Sequence, residues 1–582
     1  MSLTADQYTM EHSMMPENDK YLFENKQYLY IPDGQNGAYS SPQVTFECTS
    51  LTNSDRYVGL SEGFVTAPLV LGVTGNFTAT NANAFALSLK NGYHQLINSI
   101  QVQISGNDIV TLSNLSNLKI NYDIISTWSN DYQITMGQSV GFYGLDSSNS
   151  IGYYPPGTAN QTGIGECNNI INSLAFTPSG GYLGTNQGNT GRLNRMLQST
   201  SFDPAFNSSP SASLLTPLAY CNNLGKNYCA TSNSPASSPT QINYYILATI
   251  PLKLIHDLFH HIPIVKGIYM KLVINFHTHC TVTIPTTIAG AYSAAYTSTT
   301  TNNCLPFMVS PINVNALTTA AYANGMNITP TAAVGSCVAS LGIVKQYGTL
   351  SATPAGANGM MSQCRLYAPT YKLSRENESR YLQDMPQKTI LYNDFMTFNS
   401  QCLNVLPGNQ INPILTFGVS RLRGILIVPQ ISSVVHGGAP LLATTVQTIG
   451  SPLISPFSSA PGTCAPWSRV SNYNVFISGN AWYQQNINYG FEHFMNETRK
   501  QGAYGGGLEL ISSGLIGQSD YESGYGFIYT NLDRWANAAL DNAPKSVQIQ
   551  LTNVSAYNVD YFVYVIYQRE VTISVSTGQL II

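Results

Sequence analysis

Apolar and polar residues alternate along much of the chain, which is the pattern of β-strands with one buried face. The alternating segments include 44–48 (VTFEC), 100–104 (IQVQI) and 547–551 (VQIQL). The second of these runs into the turn sequence SGND at 105–108, which is typical of a hairpin. The segment 561–567 (YFVYVIY) is apolar at both odd and even positions, as in a strand with both faces buried. The pattern predicts strands joined by hairpins, packed as a sandwich or barrel.

Helix signals are few and short. An apolar stripe runs from Leu254 to Ile262 after Pro251, and Ser374 is placed to cap a short helix that continues to Leu382. We therefore expect helix to stay well below the usual third of residues.

Long polar stretches separate the strand-like segments and set the expected domain boundary. Residues 140–240 are rich in Gly, Ser, Asn and Pro, and residues 272–344 contain no Asp, Glu, Lys or Arg. Alternation resumes near residue 364, which places the main boundary near 350–360. We expect a first domain over 1–355, with an N-terminal arm and long loop insertions, and a second domain over 356–582. Because an interface core is depleted of charge, we expect much of 272–344 beyond its opening strand to be buried between subunits.

Composition narrows the function classes. Only 9% of the 582 residues are charged, against about 25% in a typical soluble domain, while 43% are hydrophobic and 37 are Tyr. That balance argues against disorder and against a coiled coil. A net charge of −4 without a basic run argues against direct nucleic-acid binding through phosphate neutralisation. A surface with so little charge favours association with other copies.

Targeting and cysteine signals indicate an intracellular product. We expect no signal peptide, because no basic segment followed by an apolar one opens the chain, and no membrane span, because no apolar run approaches 18 residues. The ten Cys are scattered without a C-x-x-C motif, so we expect reduced thiols packed in the interior.

The sequence gives only weak evidence for a metal site. His256 and His260 stand one helical turn apart, but the catalytic Glu of an H-E-x-x-H motif is missing between them. Cys221 and Cys229 share a loop without a His partner. Packed or solvated side chains are the favoured interpretation of both groups. The remaining members of the histidine-rich segment are His261, His277, His279 and Cys280.

Candidate catalytic features are equally weak. The glycines at 505–507, and those that follow up to Gly526, lack a P-loop pattern and are interpreted as loop glycines. Asp520 and Glu522 are spaced as paired carboxylates but lie in a Tyr- and Gly-rich loop, where solvation is the simpler interpretation. We predict no catalytic, cofactor-binding or metal site, no cofactor, and a structural rather than an enzymatic role.

An ordered series of segments resembles the double jelly-roll major capsid proteins of virophages and polinton-like viruses, of the Sputnik and Mavirus kind. Residues 250–275 resemble the helix and strand of that family, 364–371 resemble the strand that opens its second jelly roll, and 388–395 and 422–429 resemble the strands that follow. The resemblance covers about 245–280 and 364–575. Further matching segments are 455–457, 475–480, 543–549 and 561–567.

The resemblance implies an all-β double jelly roll, with two eight-stranded β-sandwich barrels, long loop insertions and a few short helices. It implies a major capsid protein whose homotrimers form pseudo-hexagonal capsomers of an icosahedral virion, assembled in the host cytoplasm or a viral factory. Expected partners are copies of itself, neighbouring capsomers, and penton and minor or cement proteins. No direct sequence-specific nucleic-acid binding is expected.

Two other interpretations stay open. A penton or cement protein would usually have one shorter jelly roll, which two strand-rich halves argue against. A secreted or surface carbohydrate-binding, adhesin-like β protein would stack sugars on Tyr-rich loops, and the expected lack of a signal peptide and of disulfides weighs against it.

Overall fold

Two β-sandwiches follow each other along the chain, and each encloses a large cluster of buried apolar side chains. The fold is given by a computed structural model. It describes residues 23–35, 39, 42–52, 55–74, 86–111, 113–143, 197–198, 228–232, 241–278, 280–284, 293–296, 304–309, 337–343, 363–384, 386–432, 453, 464, 468–499, 514–532, 542–555 and 557–581.

Strands dominate the described residues, and the helices are short. The strands are β1 Phe23–Pro32, β2 Gln43–Glu47, β3 Tyr57–Val58, β4 Phe64–Thr74, β5 Ala86–Leu89, β6 Ile97–Ile104, β7 Asn107–Val110, β8 Leu197–Gln198, β9 Tyr228–Ser232, β10 Gln241–Pro251, β11 Val265–Lys266, β12 Met270–Phe276, β13 Cys280–Ile284, β14 Ser293–Tyr296, β15 Phe307–Val309, β16 Cys337–Ile343, β17 Arg365–Leu373, β18 Gln387–Phe398, β19 Gln410–Ile411, β20 Ile414–Val419, β21 Leu422–Ile431, β22 Val470–Ile477, β23 Asn480–Ala481, β24 Ile487–Tyr489, β25 Ile528–Asn531, β26 Lys545–Asn553, β27 Val559–Ser574 and β28 Leu580–Ile581. The α-helices are α1 Thr49–Thr52, α2 Ser116–Thr127, α3 Asn130–Thr135, α4 Leu252–Ile255, α5 Leu258–His261, α6 Arg375–Asp384, α7 Phe491–Arg499 and α8 Gln518–Gly524, and single 3₁₀ turns lie at Leu60–Glu62, Tyr93–Leu96 and Gly137–Val140.

The second sandwich has the strand order of a jelly roll. One sheet runs β18-β27-β21-β25, and in the facing sheet β26 pairs with β20 and β22, and β22 pairs with β24. Counted along the chain from β18, with the short β19 and β23 left aside, these eight strands form sheets in the orders 1-8-3-6 and 2-7-4-5. Two Greek keys wound into two four-stranded sheets define the jelly roll. All pairings are antiparallel.

The first sandwich repeats the core of that order with additions. Its smaller sheet runs β2-β12-β6-β7, so β12 lies between β2 and β6 as β27 lies between β18 and β21 in the second sandwich. In the facing sheet β4 pairs along its whole length with β10, and β10 pairs with β9. The chain therefore forms a double jelly roll, which confirms the predicted all-β fold class. A further small sheet runs β15-β5-β8.

One strand lies in a different sheet from the one expected. The family resemblance implied that Cys364–Tyr371 opens the second jelly roll, but β17 pairs with β1, β3 and β4 in the larger sheet of the first sandwich. Cys364, Leu366 and Ala368 accordingly point into the first core. The expected boundary between residues 355 and 356 lies outside the described residues. Since alternation reports burial but not the pairing partner, this strand could not be assigned from its own sequence.

The charge-free stretch 272–344 contains more strand than the sequence indicated. After β12 it supplies β13, β14 and β16, which extend the larger sheet of the first sandwich beyond β4, and β15, which pairs with β5. These described parts belong to the sandwich itself. Burial of the stretch between subunits stays a prediction.

The predicted local elements are present. The apolar stripe at 254–262 forms two single helical turns, α4 and α5, and the backbone N–H of Asn377 donates to Ser374 Oγ at 3.3 Å to cap α6. The turn sequence at 105–108 connects β6 to β7, with Ser105 and Gly106 both at positive φ. Positive φ at both central turn residues matches the twist of a tight hairpin.

Candidate functional site at the junction of the two sandwiches

The helix α2 lies between the two sandwiches and contributes to both cores. Ile120 and Ile124 belong to the first cluster of buried side chains, whereas Leu118, Tyr122 and Ile125 belong to the second. The spacing of each set follows the helical period, so the two sets occupy different faces of one helix. The helix is therefore a wedge whose opposite faces complete two separate cores.

Both sandwiches hold the residue that precedes α2. Leu115 has a left-handed backbone conformation, with φ +54°, which is strained for a leucine. Its N–H donates to Asn98 Oδ1 in the first sandwich at 3.2 Å, and its carbonyl accepts from the Tyr564 hydroxyl of the second at 2.8 Å. Such a conformation persists where the surroundings impose it. The start of α2 is thus fixed by the junction and not by local preference.

A buried carboxylate, Asp394 of β18, forms the centre of the junction, with 1% of its side chain exposed. Its Oδ2 accepts from Tyr567 Oη at 3.1 Å and from Arg569 Nη1 at 3.2 Å, both on β27. From the first sandwich, Thr111 Oγ1 donates to the same oxygen at 3.4 Å. The backbone N–H of Phe395 donates to Oδ1 at 2.9 Å. A buried charge with this many donors is compensated in the way that buried charges require.

Arg569 extends the network into the first sandwich. Its Nη1 donates to the Ile109 carbonyl at 2.7 Å, and its Nη2 donates to the Asp108 carbonyl at 3.1 Å. The Ile109 carbonyl also accepts from the Tyr392 hydroxyl at 2.5 Å. One guanidinium therefore connects a carboxylate of the second sandwich to the end of β7 in the first, using the forked geometry of arginine.

His256 approaches Asp394 from the first sandwich. The Leu258 N–H donates to His256 Nδ1 at 3.1 Å, so Nδ1 is an acceptor and the ring proton lies on Nε2. Nε2 stands 3.4 Å from Asp394 Oδ1. Burial acts to raise the pKa of Asp394, but the contacts with His256, the Phe395 N–H and Arg569 outweigh it and hold that pKa below its ordinary value.

A second carboxylate, Asp257, spans the junction in the opposite direction. Its Oδ2 accepts from the backbone N–H and from Nδ2 of Asn393, both at 2.9 Å. Its Oδ1 lies 3.4 Å from His261 Nε2. Burial favours a raised pKa, but His261 and Asn393 together hold the pKa of Asp257 well below its usual range. Both Asp394 and Asp257 are therefore ionised, and they accept hydrogen bonds across the junction and do not donate protons.

The histidine-rich segment does not form a shared site. His256 lies between α4 and α5 with extended backbone, so His256 and His260 do not stand one turn apart on one helix. His277 is buried, and burial lowers its pKa to about 3. Cys280 Sγ lies 3.8 Å from the His277 carbonyl, and His279 lies outside the described residues. In the part of the chain that the structure describes, no three His, Cys, Asp or Glu side chains are placed to hold a metal ion.

The remaining candidates lie apart from the junction. Cys221 and the glycines at 505–507 are outside the described residues, and Cys229 lies in β9. Gly526 lies next to Ser468 just before β25. On α8, burial raises the pKa of Asp520, whereas Glu522 Oε2 lies 3.4 Å from Arg469 Nη2. The two carboxylates thus have different surroundings.

The described residues include buried free cysteines and no helix that could span a membrane. There, six cysteines are buried free thiols: Cys48, Cys280, Cys304, Cys364, Cys402 and Cys464. Burial raises the pKa of Cys48 to about 12. Among the same residues, no helix is long and apolar enough to cross a membrane.

The junction is not visible as a motif in the sequence. Its residues are scattered, with Asp394 and Arg569 in different strands and His256 at a helix break. The one available signal was the spacing of Leu118, Tyr122 and Ile125 beside that of Ile120 and Ile124, which predicts a helix with two apolar faces.

Among known proteins, the chain is similar to solved structures of viral major capsid proteins. No family model matches the chain, and no curated protein matches it. Solved structures do. The chain is similar to the mavirus major capsid protein at 9% identity and a TM-score of 0.44, over 97% of this chain and 92% of that one.

Two further likenesses are of the same kind. The chain is similar to PBCV-1 VP54 as fitted into a reconstruction of the virophage Sputnik, at 9% identity and a TM-score of 0.41, over 98% and 99% of the two chains. It is also similar to the Faustovirus major capsid protein, at 10% identity and a TM-score of 0.40, over 96% and 92%. The double jelly-roll assignment rests on the strand order described above.

Proposed function

We propose that this chain is the major capsid protein of an icosahedral virus of the virophage or polinton-like kind, with a structural and not an enzymatic role. The observation that carries the proposal is two jelly rolls in one chain, joined by a buried junction of side chains from both. A fold alone does not determine function. A junction that fixes two sandwiches relative to each other is, however, what a rigid building block of a shell requires.

The proposed assembly is a homotrimer. Three chains with two sandwiches each place six similar units around one axis, which produces a pseudo-hexagonal capsomer able to tile a closed shell. Neighbouring capsomers, penton proteins and minor or cement proteins are the proposed partners, and the virion capsid is the proposed location.

The composition supports self-association. Only 9% of residues are charged, so copies of the protein repel one another weakly and lose little when polar surface is buried. A typical soluble domain carries about 25% charged residues.

An aromatic row on the larger sheet of the first sandwich is a second supporting feature. Tyr30 of β1 pairs with Tyr367 of β17, which pairs with Phe64 of β4, and Tyr28 adjoins Phe64 at 6.1 Å between ring centres. Tyr28 and Tyr30 are 48% and 52% exposed. Aromatic side chains are enriched in interfaces between proteins, so this row is a proposed contact surface.

Native mass measurement with negative-stain microscopy tests the proposal. The expected result is a particle of three chains with a pseudo-hexagonal outline. A monomer at every concentration used, with no capsomer or shell in the images, contradicts it. A Tyr28→Ser, Tyr30→Ser double variant, compared with a Tyr132→Ser control on the exposed face of α3, tests whether the aromatic row takes part.

A further inference from the structure

A cleft with several hydroxyl and amide groups in its lining opens where the last turn of the second sandwich meets one end of the first. Its volume is about 630 Å³, within the range of about 300–1,000 Å³ that small-molecule sites occupy. One wall is the β6–β7 turn together with the segment that leads into β12, and the other wall is the turn between β27 and β28. The principal side chains that line it are Ser105, Lys266, Tyr269, Ser576, Thr577 and Gln579.

The walls of the cleft are held by backbone contacts. The Ser105 N–H donates to the Tyr269 carbonyl at 3.0 Å, and the Lys266 N–H donates to the Val575 carbonyl at 3.0 Å. Gly578, at φ +64°, approaches so closely that a Cβ there would lie 2.5 Å from Ile268 Cα. A cleft formed in this way keeps its shape without a ligand, which lowers the entropy cost of binding.

The polar groups in the cleft are available to a ligand. Within the described part of the chain, the side chains of Ser105, Tyr269, Thr577 and Gln579 form no hydrogen bond with other residues. Together they offer hydroxyl and amide groups that both donate and accept. The Tyr269 side chain is 37% exposed and adds an aromatic surface.

The electrostatics of the cleft exclude several ligand classes. Lys266 is the one charged residue in the lining, and its Nζ lies 2.5 Å from Asp55 Oδ1 and 3.2 Å from Glu378 Oε1. Its charge is therefore already compensated, which disfavours phosphate and other anions. The lining contains no carboxylate to bind a cation, and an apolar ligand would leave the hydroxyl and amide groups beneath it without hydrogen-bond partners.

We propose that this cleft binds a short neutral oligosaccharide. A sugar presents hydroxyl groups that donate and accept, matching Ser105, Thr577 and Gln579, and a C–H face that packs on an aromatic ring such as that of Tyr269. The site is independent of the proposed capsid role, and it differs from the Tyr-rich loops of the adhesin-like alternative because rigid turns form it.

Saturation-transfer NMR on the full chain tests the proposal. The probes are maltotriose, mannotriose, N,N′-diacetylchitobiose and lactose, with inorganic phosphate as the anionic probe. At least one neutral sugar is expected to receive saturation, and its affinity is expected to fall at least tenfold in Tyr269→Ala and several-fold in Gln579→Ala. Tyr132→Ala, which alters an exposed tyrosine on α3 away from the cleft, is expected to bind as the unaltered chain does.

Three results overturn the proposal. They are no saturation of any of the four sugars at millimolar concentration, equal binding by Tyr269→Ala and the unaltered chain, and binding of phosphate with no binding of the sugars. Circular dichroism of each variant verifies the fold, and the exposed position of Gln579 keeps that second variant informative. The measurement does not depend on assembly, so a failure here leaves the trimer measurement unaffected.

Discussion

Replacing Arg569 by methionine tests whether the junction is a compensated buried charge network. The change keeps much of the apolar stem but removes the guanidinium, which donates to Asp394 at 3.2 Å and to the Ile109 carbonyl at 2.7 Å. Asp394, with 1% of its side chain exposed, then loses its cationic partner. Stranding one partner of a buried pair costs about 3–5 kcal/mol. Because 28% of the Arg569 side chain is exposed, water replaces part of the lost interaction, and we expect a loss of about 3 kcal/mol.

The assay is urea unfolding followed by tryptophan fluorescence and circular dichroism, with the shift of the midpoint as the readout. Arg380→Met is the matched control, because Arg380 pairs with Glu376 on the exposed surface of α6 and such pairs contribute at most about 1 kcal/mol. The double variant Arg569→Met, Asp394→Asn is expected to recover much of the loss, since it removes the stranded charge. A cost for Arg569→Met no greater than that of the control, or no recovery in the double variant, refutes the reasoning.

The same variant has a predictable dependence on pH. The pKa of Asp394 is depressed below its ordinary value of 3.8 in the folded protein, so its ionised form contributes stability above about pH 4 and that contribution is lost as the pH falls further. The difference between the unaltered chain and Arg569→Met is therefore expected to shrink below pH 4. A difference that stays constant from pH 7 to pH 3 would show that charge is not the cause.

Further predictions concern the helix, the thiols and the charge-free stretch. Tyr122→Ala is expected to cost about 3–5 kcal/mol in urea unfolding because it empties a buried position of the second core. Tyr132→Ala is expected to cost at most about 1.5 kcal/mol, because it removes an exposed ring that packs against Trp128, and equal effects would contradict the wedge role of α2. Thiol titration of the denatured, unreduced chain is expected to find close to ten thiols, with the buried ones slow to react in the native state, and a count near zero contradicts this. Replacing part of 289–301, which includes the edge strand β14, by a short Gly-Ser linker is expected to weaken trimers in light scattering while both sandwiches stay folded. An unchanged trimer with unchanged melting would count against an interface role.

Local features of the structure were accessible from the sequence. Alternation predicted β2, β6, β26 and β27, and the SGND turn was placed between β6 and β7. Ser374 was identified as the cap of α6. These signals are local, because the period of a strand and the cap of a helix depend on residues a few positions apart.

Pairing partners were decided only by the tertiary structure. The alternation in β17 predicts a strand, but its place beside β1, β3 and β4 depends on residues hundreds of positions away. The pairing partners of the strands within 272–344 were likewise not predictable from the sequence. Thr and Ala occur at both buried and exposed positions, so these strands form because of the sheet that they join.

The sequence by itself determined that this chain is all-β, poor in charge and built from alternating strands. Hydrophobic periodicity depends only on residues a few positions apart, and composition depends on no spatial arrangement at all. The junction was decided only by the folded chain. Asp394, Arg569 and His256 have no common motif, and they meet only where the two sandwiches lie against each other with α2 between them. Electrostatic contacts of this kind depend on distance in space, which the order of residues along the chain does not contain.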